Sequence, residues 1–424
     1  MIIKELKNIG TKIYEETLPC GLKIYVCPLE RHEAHARIVT NFGGSNLEFK
    51  PAGSDNFIKV PEGTAHFLEH KMFEQKDGVD IMDIFQKNGA MSNAYTNAFH
   101  TTYYFTAPNH FYENLTNLLK CVTEPYYTDE NVKSEVGIIE QEIKAGLDHP
   151  GNKAYHTTIH NAFKNLPFRY PVAGSTKSIR QINTKILYDC YNTFYHPSNM
   201  HLVITGNIDP EECIKFVKDF YQKLKLEKHK SIINKEYNES DEVYKEKEIV
   251  NKNITNKLIE IAYKVNVSDV DMSLYKIKLY INIYLRIKFG NISKFNKETF
   301  QDKNVLTPVS FYTTIVNDKY FMIDFDTEVI KEKDIFDKIN NNIASKDINE
   351  REFELIKKNY LTELILSADS IFSLAEFIDT SLKQYKKIPY DIHQIIASLN
   401  YDELKRVIDK LDFTHHTMTI VQKG

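Results

Sequence analysis

Apolar and polar positions alternate over residues 21–26 and again over 35–42 (HARIVTNF), where Gly43 and Gly44 break the pattern, so two neighbouring strands are predicted there. Over 64–73 the spacing changes to the three-and-four rhythm of a helix. Residues 81–87 continue it until Asn88-Gly89 stops it. Residues 90–106 are rich in Tyr, Thr and Phe in near alternation and predict one long strand or two short ones. Helical spacing returns at 111–123, 129–147 and 188–194. An apolar run at 200–205, closed by Gly206, reads as a buried strand, and 209–226 as a helix.

From about 227 to 248 the chain turns polar and charged with no periodic apolar face, as a solvated connector does. The predicted organisation is therefore a domain over 1–228, a linker over 229–248 and a second domain over 249–424. The second half repeats the order of the first: a strand at 258–265, a helix at 272–289, strands at 309–314 and 321–327, helices at 335–343, 352–366 and 404–411, and a strand at 416–421. The fold class expected is α+β, with two similar domains. A length of 424 residues agrees with two cores.

Composition narrows the function by exclusion. A formal net charge of -4 provides no overall attraction for nucleic acid or an anionic membrane. The opening MIIKELKNIG interrupts its apolar residues with Lys4, Glu5 and Lys7, unlike a secretory signal. No later run approaches the roughly 18 apolar residues of a membrane span. Five scattered cysteines, an odd number, fit reduced thiols in a cytoplasm.

The chemistry concentrates in His66-Phe67-Leu68-Glu69-His70. Two histidines four apart share one face of a helix. A catalytic zinc takes three protein ligands and keeps one position open, so the pair supplies two of three. Glu69, beside them, is placed to act as a general base toward water at the metal. The 129–147 helix offers Glu135, Glu140 and Glu142 for the third position; Glu135 and Glu142, two turns apart, share a face, a spacing also common on any solvated helix. His156 and His160 repeat the four-residue spacing without an intervening Glu and read as surface residues. His100 and His201, in strand-like segments, read as satisfied polar side chains.

HFLEH followed by EVGIIEQE some seventy residues later resembles the inverted zinc motif of the pitrilysin and insulinase peptidases. NAYTNAFHTTYYF (93–105) resembles that family's strand after the motif helix, and YHPSNMHLVITGNID (195–209) its helix-to-strand turn. The resemblance implies mitochondrial-processing-peptidase-like domains, each a mixed, mainly antiparallel sheet covered by helices. It implies one Zn2+ per chain on His66, His70 and Glu142, Glu69 as the base in peptide-bond hydrolysis, and Glu135 as a supporting acid. Asn93 and Ala94, on a strand whose edge pairs with bound peptide, become substrate contacts. Phe67, beside the two histidines, is the aromatic most expected to touch substrate, with anchoring of the helix to the core as the equal alternative.

Active members carry an Arg and a Tyr in the second half. Here that half has only Arg286, Arg351 and Arg406, and the 300–311 loop has no Arg; Arg286, inside an apolar helix, is expected to pack its stem there. The gap resembles the short bacterial, YmfH-like subunits, in which a catalytically silent homologue supplies both residues. A heterodimer acting on short or unfolded peptides is expected, with a non-catalytic peptide-binding or scaffold subunit as the alternative. A structural zinc is disfavoured, since no Cys lies near either motif.

Overall fold

In the computed structural model, which describes residues 1–424 except 8, 52, 77, 225, 227–231 and 333, the alternating stretches are strands and the three-and-four stretches helices. The chain divides into two units.

The first unit comprises 1–143, 171–236 and 365–392. Its main sheet runs β1 (Ile2–Leu6), β2 (Thr11–Thr17), β3 (Lys23–Pro28), β9 (Met200–Gly206), β4 (Ala34–Thr40), β8 (Thr101–Ala107), β7 (Met91–Thr96). Only β3 and β9 are parallel neighbours. A small sheet joins β10 (Ile233–Asn234), β5 (Glu48–Lys50) and β6 (Ile58–Lys59). Every residue of β4 and β9 is buried, so both faces of the sheet centre are covered. On one face Ile24, Val26, Ile38, Leu202 and Ile204 meet Leu115 and Leu119 of the Phe111–Thr123 helix and Val217 of the Pro210–Lys223 helix. The other face, with Tyr25, Cys27 and Val203, packs against Leu374, Ala375 and Ile378 of the Ile371–Tyr385 helix. That helix also buries charge. Asp379 accepts from His201 Nε2 at 2.9 Å and pairs with Lys383 at 2.7 Å and Arg37 at 3.3 Å. Burial alone would raise its carboxyl, but these cationic and donor neighbours hold it far below the usual range.

The second unit comprises 144–170, 237–364 and 393–424. Its sheet runs β11 (Lys247–Lys252), β15 (His416–Lys423), β12 (Lys257–Asn266), β14 (Tyr320–Val329), β13 (Ser310–Ile315), with β11 and β15 parallel and the rest antiparallel. This repeats, strand for strand, the order β3-β9-β4-β8-β7. The Pro150–Ala162 helix lies against β12 and β15, where Thr158 Oγ1 donates to Thr419 Oγ1 at 2.7 Å.

The expected division at 228/248 is thus corrected in two ways. Each unit takes one helix, Pro150–Ala162 or Ile371–Tyr385, from the other half of the chain. The charged segment is also more than a connector. Residues 229–231 lie outside the described residues, but Glu239 is buried and accepts from the backbone N–H groups of Lys164, Asn165 and Leu166 at 2.9, 2.7 and 2.9 Å. Lys264, fully buried, donates to it at 2.5 Å. Its lack of apolar periodicity reflects anchoring by charge and backbone donors. Among the described residues no helix is long and apolar enough to cross a membrane.

Candidate metal centre

The motif sits on the Thr64–Lys71 helix, which follows β4 and precedes the edge strand β7. The helix starts from Gly63 at φ 91°, where a Cβ would stand 2.6 Å from the carbonyl oxygen of Ala173; glycine alone fits that turn. Residues 64–69 and 71 are all buried, so the helix runs through protein rather than along its surface.

His66 and His70 present adjacent rings with centroids 4.7 Å apart. Across from them, Glu142 on the Asp129–Asp148 helix brings Oε1 to 3.5 Å from His66 Nε2 and Oε2 to 3.5 Å from His70 Nε2. Ligand atoms about 2.1 Å from a tetrahedral zinc stand about 3.4 Å apart. The three side chains offer donor atoms all within 4.8 Å of one another, and among the described residues they form the only His, Cys or carboxylate group so arranged. The geometry and the donor set fit zinc.

The surrounding contacts fix these side chains. His70 Nδ1 donates to Oε1 of buried Glu135 at 3.0 Å, which leaves its Nε2 facing Glu142. Burial opposes a proton on His70, but Glu135, Glu142 and Glu69 outweigh it and raise the imidazole pKa. Burial likewise pushes Glu135 upward, while His70 and Lys71 overcome it and hold it low. Glu142 is held low chiefly by its hydrogen bond with His66. His66 Nδ1 is buried and has no hydrogen-bond partner among the described residues.

Glu69 is 8% exposed, and burial raises its carboxyl pKa, partly offset by a hydrogen bond from Thr96 and by the two histidines. Thr96 Oγ1 donates to Glu69 Oε2 at 2.5 Å. A carboxylate with a raised pKa beside two imidazoles is better suited than an ordinary one to accept and return a proton.

The structure brings His66, Glu69, His70, Glu135 and Glu142 together. Glu140 is turned aside to an ion pair with Arg180. Asn93 is exposed on the edge strand β7, where its Oδ1 accepts from the N–H of Ala94 at 2.8 Å. Phe67 is a correction: fully buried in the core, it anchors the motif helix and is closed to substrate. His156 and His160 are half-buried rather than superficial, His160 lying 3.0 Å from Arg169. His201 is satisfied by Asp379. Buried His100 has its pKa lowered to about 2, first by burial and then by Lys383 and Lys386. Thr96 and Lys71 escaped the sequence reading. The signal for Thr96 was available: it lies two residues from Ala94 on an alternating strand, hence on the face toward the motif helix.

The family profile described as insulinase (peptidase family M16) matches residues 51–176, a span that contains every residue of this cluster, and the peptidase M16 inactive domain matches 181–283. The uncharacterized zinc protease YmfH of Bacillus subtilis (strain 168) is 30% identical over 417 residues, 96% of this chain and 95% of that protein. The chain belongs to peptidase family M16. Among solved structures, an M16-like peptidase from Alicyclobacillus acidocaldarius superposes with a TM-score of 0.89 at 25% identity, covering 98% of this chain and 99% of the other. A protease from Helicobacter pylori has the same fold, with a TM-score of 0.84 at 18% identity over 98% and 100% of the two chains. M16 relatives that are named zinc proteases agree with the donor set. In this M16 chain the Arg286 guanidinium stacks on Tyr360, 4.1 Å from the ring centroid, and pairs with Glu363 at 2.8 Å.

Proposed function

We propose that this chain is the zinc-bearing, catalytic subunit of an endopeptidase acting on short or unfolded peptides, completed by a homologous, catalytically silent subunit that supplies the missing Arg and Tyr. The observation that carries the reading is the convergence of His66, His70 and Glu142 with buried Glu69 beside the edge strand β7. When bound, zinc supplies Lewis acidity for a peptide carbonyl and for the attacking water. Glu69 accepts that water's proton and delivers it to the leaving amine. Thr96 holds the Glu69 carboxylate in place while the proton is away. β7 offers its free edge to an extended peptide, with Asn93 and Ala94 as the contacts. His66, His70 and Glu142 hold one Zn2+, and Glu135 sets the ring of His70.

Arg286 is engaged with Tyr360 and Glu363, and the 300–311 segment contains no Arg, which supports a partner as their source. Five buried, unbridged cysteines support a cytoplasmic setting. Maturation of a small ribosomal peptide is a role of the right chemical kind. The alternative, a peptide-binding scaffold, draws on the same missing Arg.

Zinc content of wild type and Glu69→Gln, paired with hydrolysis of a quenched peptide library with and without the product of the neighbouring gene, separates these readings. One zinc in both proteins, with cleavage only by wild type plus partner, is the expected result. Zinc without any cleavage favours the scaffold. A chain that binds no zinc overturns the proposal.

A further inference from the structure

Lys71 directly follows the ligand His70, and its side chain is 0% exposed. A lysine at the end of a helix ordinarily carries its ammonium to solvent, because stripping water from a charge is costly. A methionine of similar length would fill the same space without that cost. The charge must therefore be matched locally. Two carboxylates do so: Nζ is in ion-pair contact with Glu74 Oε1 and stands 3.6 Å from Glu135 Oε2, a charge contact rather than a hydrogen bond.

Both partners are fixed from other directions. Glu74 Oε2 accepts from Asn131 Nδ2 at 3.0 Å, and Glu74 bridges to Asp80 through the backbone. Glu135 uses its other oxygen for His70 Nδ1 at 3.0 Å. Each oxygen of Glu135 thus has one cationic or donor partner. With only the His70 contact, the carboxylate could rotate about its terminal torsion, which is broad and two-fold. With Lys71 on the second oxygen it is pinned.

We infer that Lys71 is a positioning residue for the metal centre: its buried ammonium, held by Glu74, fixes the Glu135 carboxylate and through it the ring of His70. The inference rests on the zinc-peptidase reading. Buried ion pairs are poor sources of net stability but strong determinants of geometry, and here the geometry is that of a ligand.

The test is a double-mutant cycle on zinc affinity, read by competition with a chromophoric chelator, in wild type, Lys71→Met, Glu135→Gln and the double variant. Contacts that orient a ligand typically contribute about 10 to 100-fold in metal affinity. Lys71→Met is expected to weaken zinc about 10-fold in the wild-type background and to have no further effect once Glu135 is Gln. Cobalt(II)-substituted Lys71→Met should also show an altered visible ligand-field spectrum, which a merely structural lysine would leave unchanged. If Lys71→Met does not fold, Lys71→Gln, which keeps a donor without the charge, takes its place in the cycle. Equal losses in both backgrounds, or an unchanged affinity and cobalt spectrum in a folded variant, overturn the inference. Failure of wild type to bind zinc overturns the reading beneath it instead.

Discussion

At the scale of single residues, the site assigns separate tasks to chemically similar groups. Three glutamates stand within one cluster, and their surroundings pull them apart: Glu69 is desolvated and raised, while Glu135 and Glu142 are held low by imidazole and ammonium neighbours. The first environment suits a proton acceptor, and the other two suit carboxylates that stay ionised beside a cation or an imidazole. Thr96→Val removes the hydroxyl that holds Glu69 and should lower kcat about 10-fold with zinc content unchanged, which steady-state kinetics and elemental analysis would show together. Glu135→Gln should weaken zinc by about 10 to 100-fold, measured by chelator competition. The grouping of His66, Glu69 and His70 was legible because it is written as a spacing, whereas spacing left Glu135, Glu140 and Glu142 open and Glu142 came forward only through the family resemblance. Lys71 was not legible, because a helix-end lysine reads as solvated and only the packing shows it turned inward. Phe67 was misplaced for a related reason. Proximity to ligands in sequence says nothing of direction, and on a helix buried almost all round the residue between two ligands points into the core.

At the scale of elements, most strands and helices fall where period-two and three-and-four spacing put them. The Pro150–Ala162 and Ile371–Tyr385 helices do not, and each covers a sheet face that is partly polar. The first buries Thr157, Thr158 and Asn161, the second Asp379, Ser381 and Lys383 at inward positions. Polar residues at core-facing positions erase the apolar stripe that a pattern reading relies on. In the second unit, β12 and β14 carry buried Glu260 and Asp324, whose pKa values are raised to about 9 and about 7, first by burial and then by neighbouring acids. The folded state keeps these protons to higher pH than the unfolded chain does. Stability contributed here is therefore present at acidic pH and declines as pH rises from about 4 through 7 to 9. Thermal melts should show a lower Tm at pH 9 than at pH 6. Glu260→Gln should flatten that slope, raising Tm at pH 8.5 by about 3 °C or more and changing it little at pH 5.

At the scale of the molecule, the same five-strand order occurs twice, yet the elements between the central strand and the edge strand differ. In the first unit the helix there carries His66 and His70 of the candidate metal centre; in the second it is the apolar Leu274–Phe289, with Ile277, Ile281 and Leu285 buried. A similar layout was legible in the sequence, but the exchange of helices was not, since it alters no local pattern. It does alter what a fragment can do. Residues 1–236 expressed alone lack Leu374, Ala375, Ile378 and Asp379, leaving Val203, Tyr25 and Arg37 uncovered. Such a fragment should fail to give a cooperative melt by circular dichroism, and adding a 365–392 peptide should restore it in part.

The exchange also sets a clock. About 180 residues separate the end of β9 from the end of the Ile371–Tyr385 helix, and a ribosome adding about 5 to 20 residues per second needs roughly ten to thirty-five seconds to cross that distance. For that time one face of a finished sheet, with its apolar patch and Arg37, waits in the nascent chain without its cover. Synthesis rather than sheet formation then limits when the first unit can close, and the interval is one in which a chaperone has something to hold.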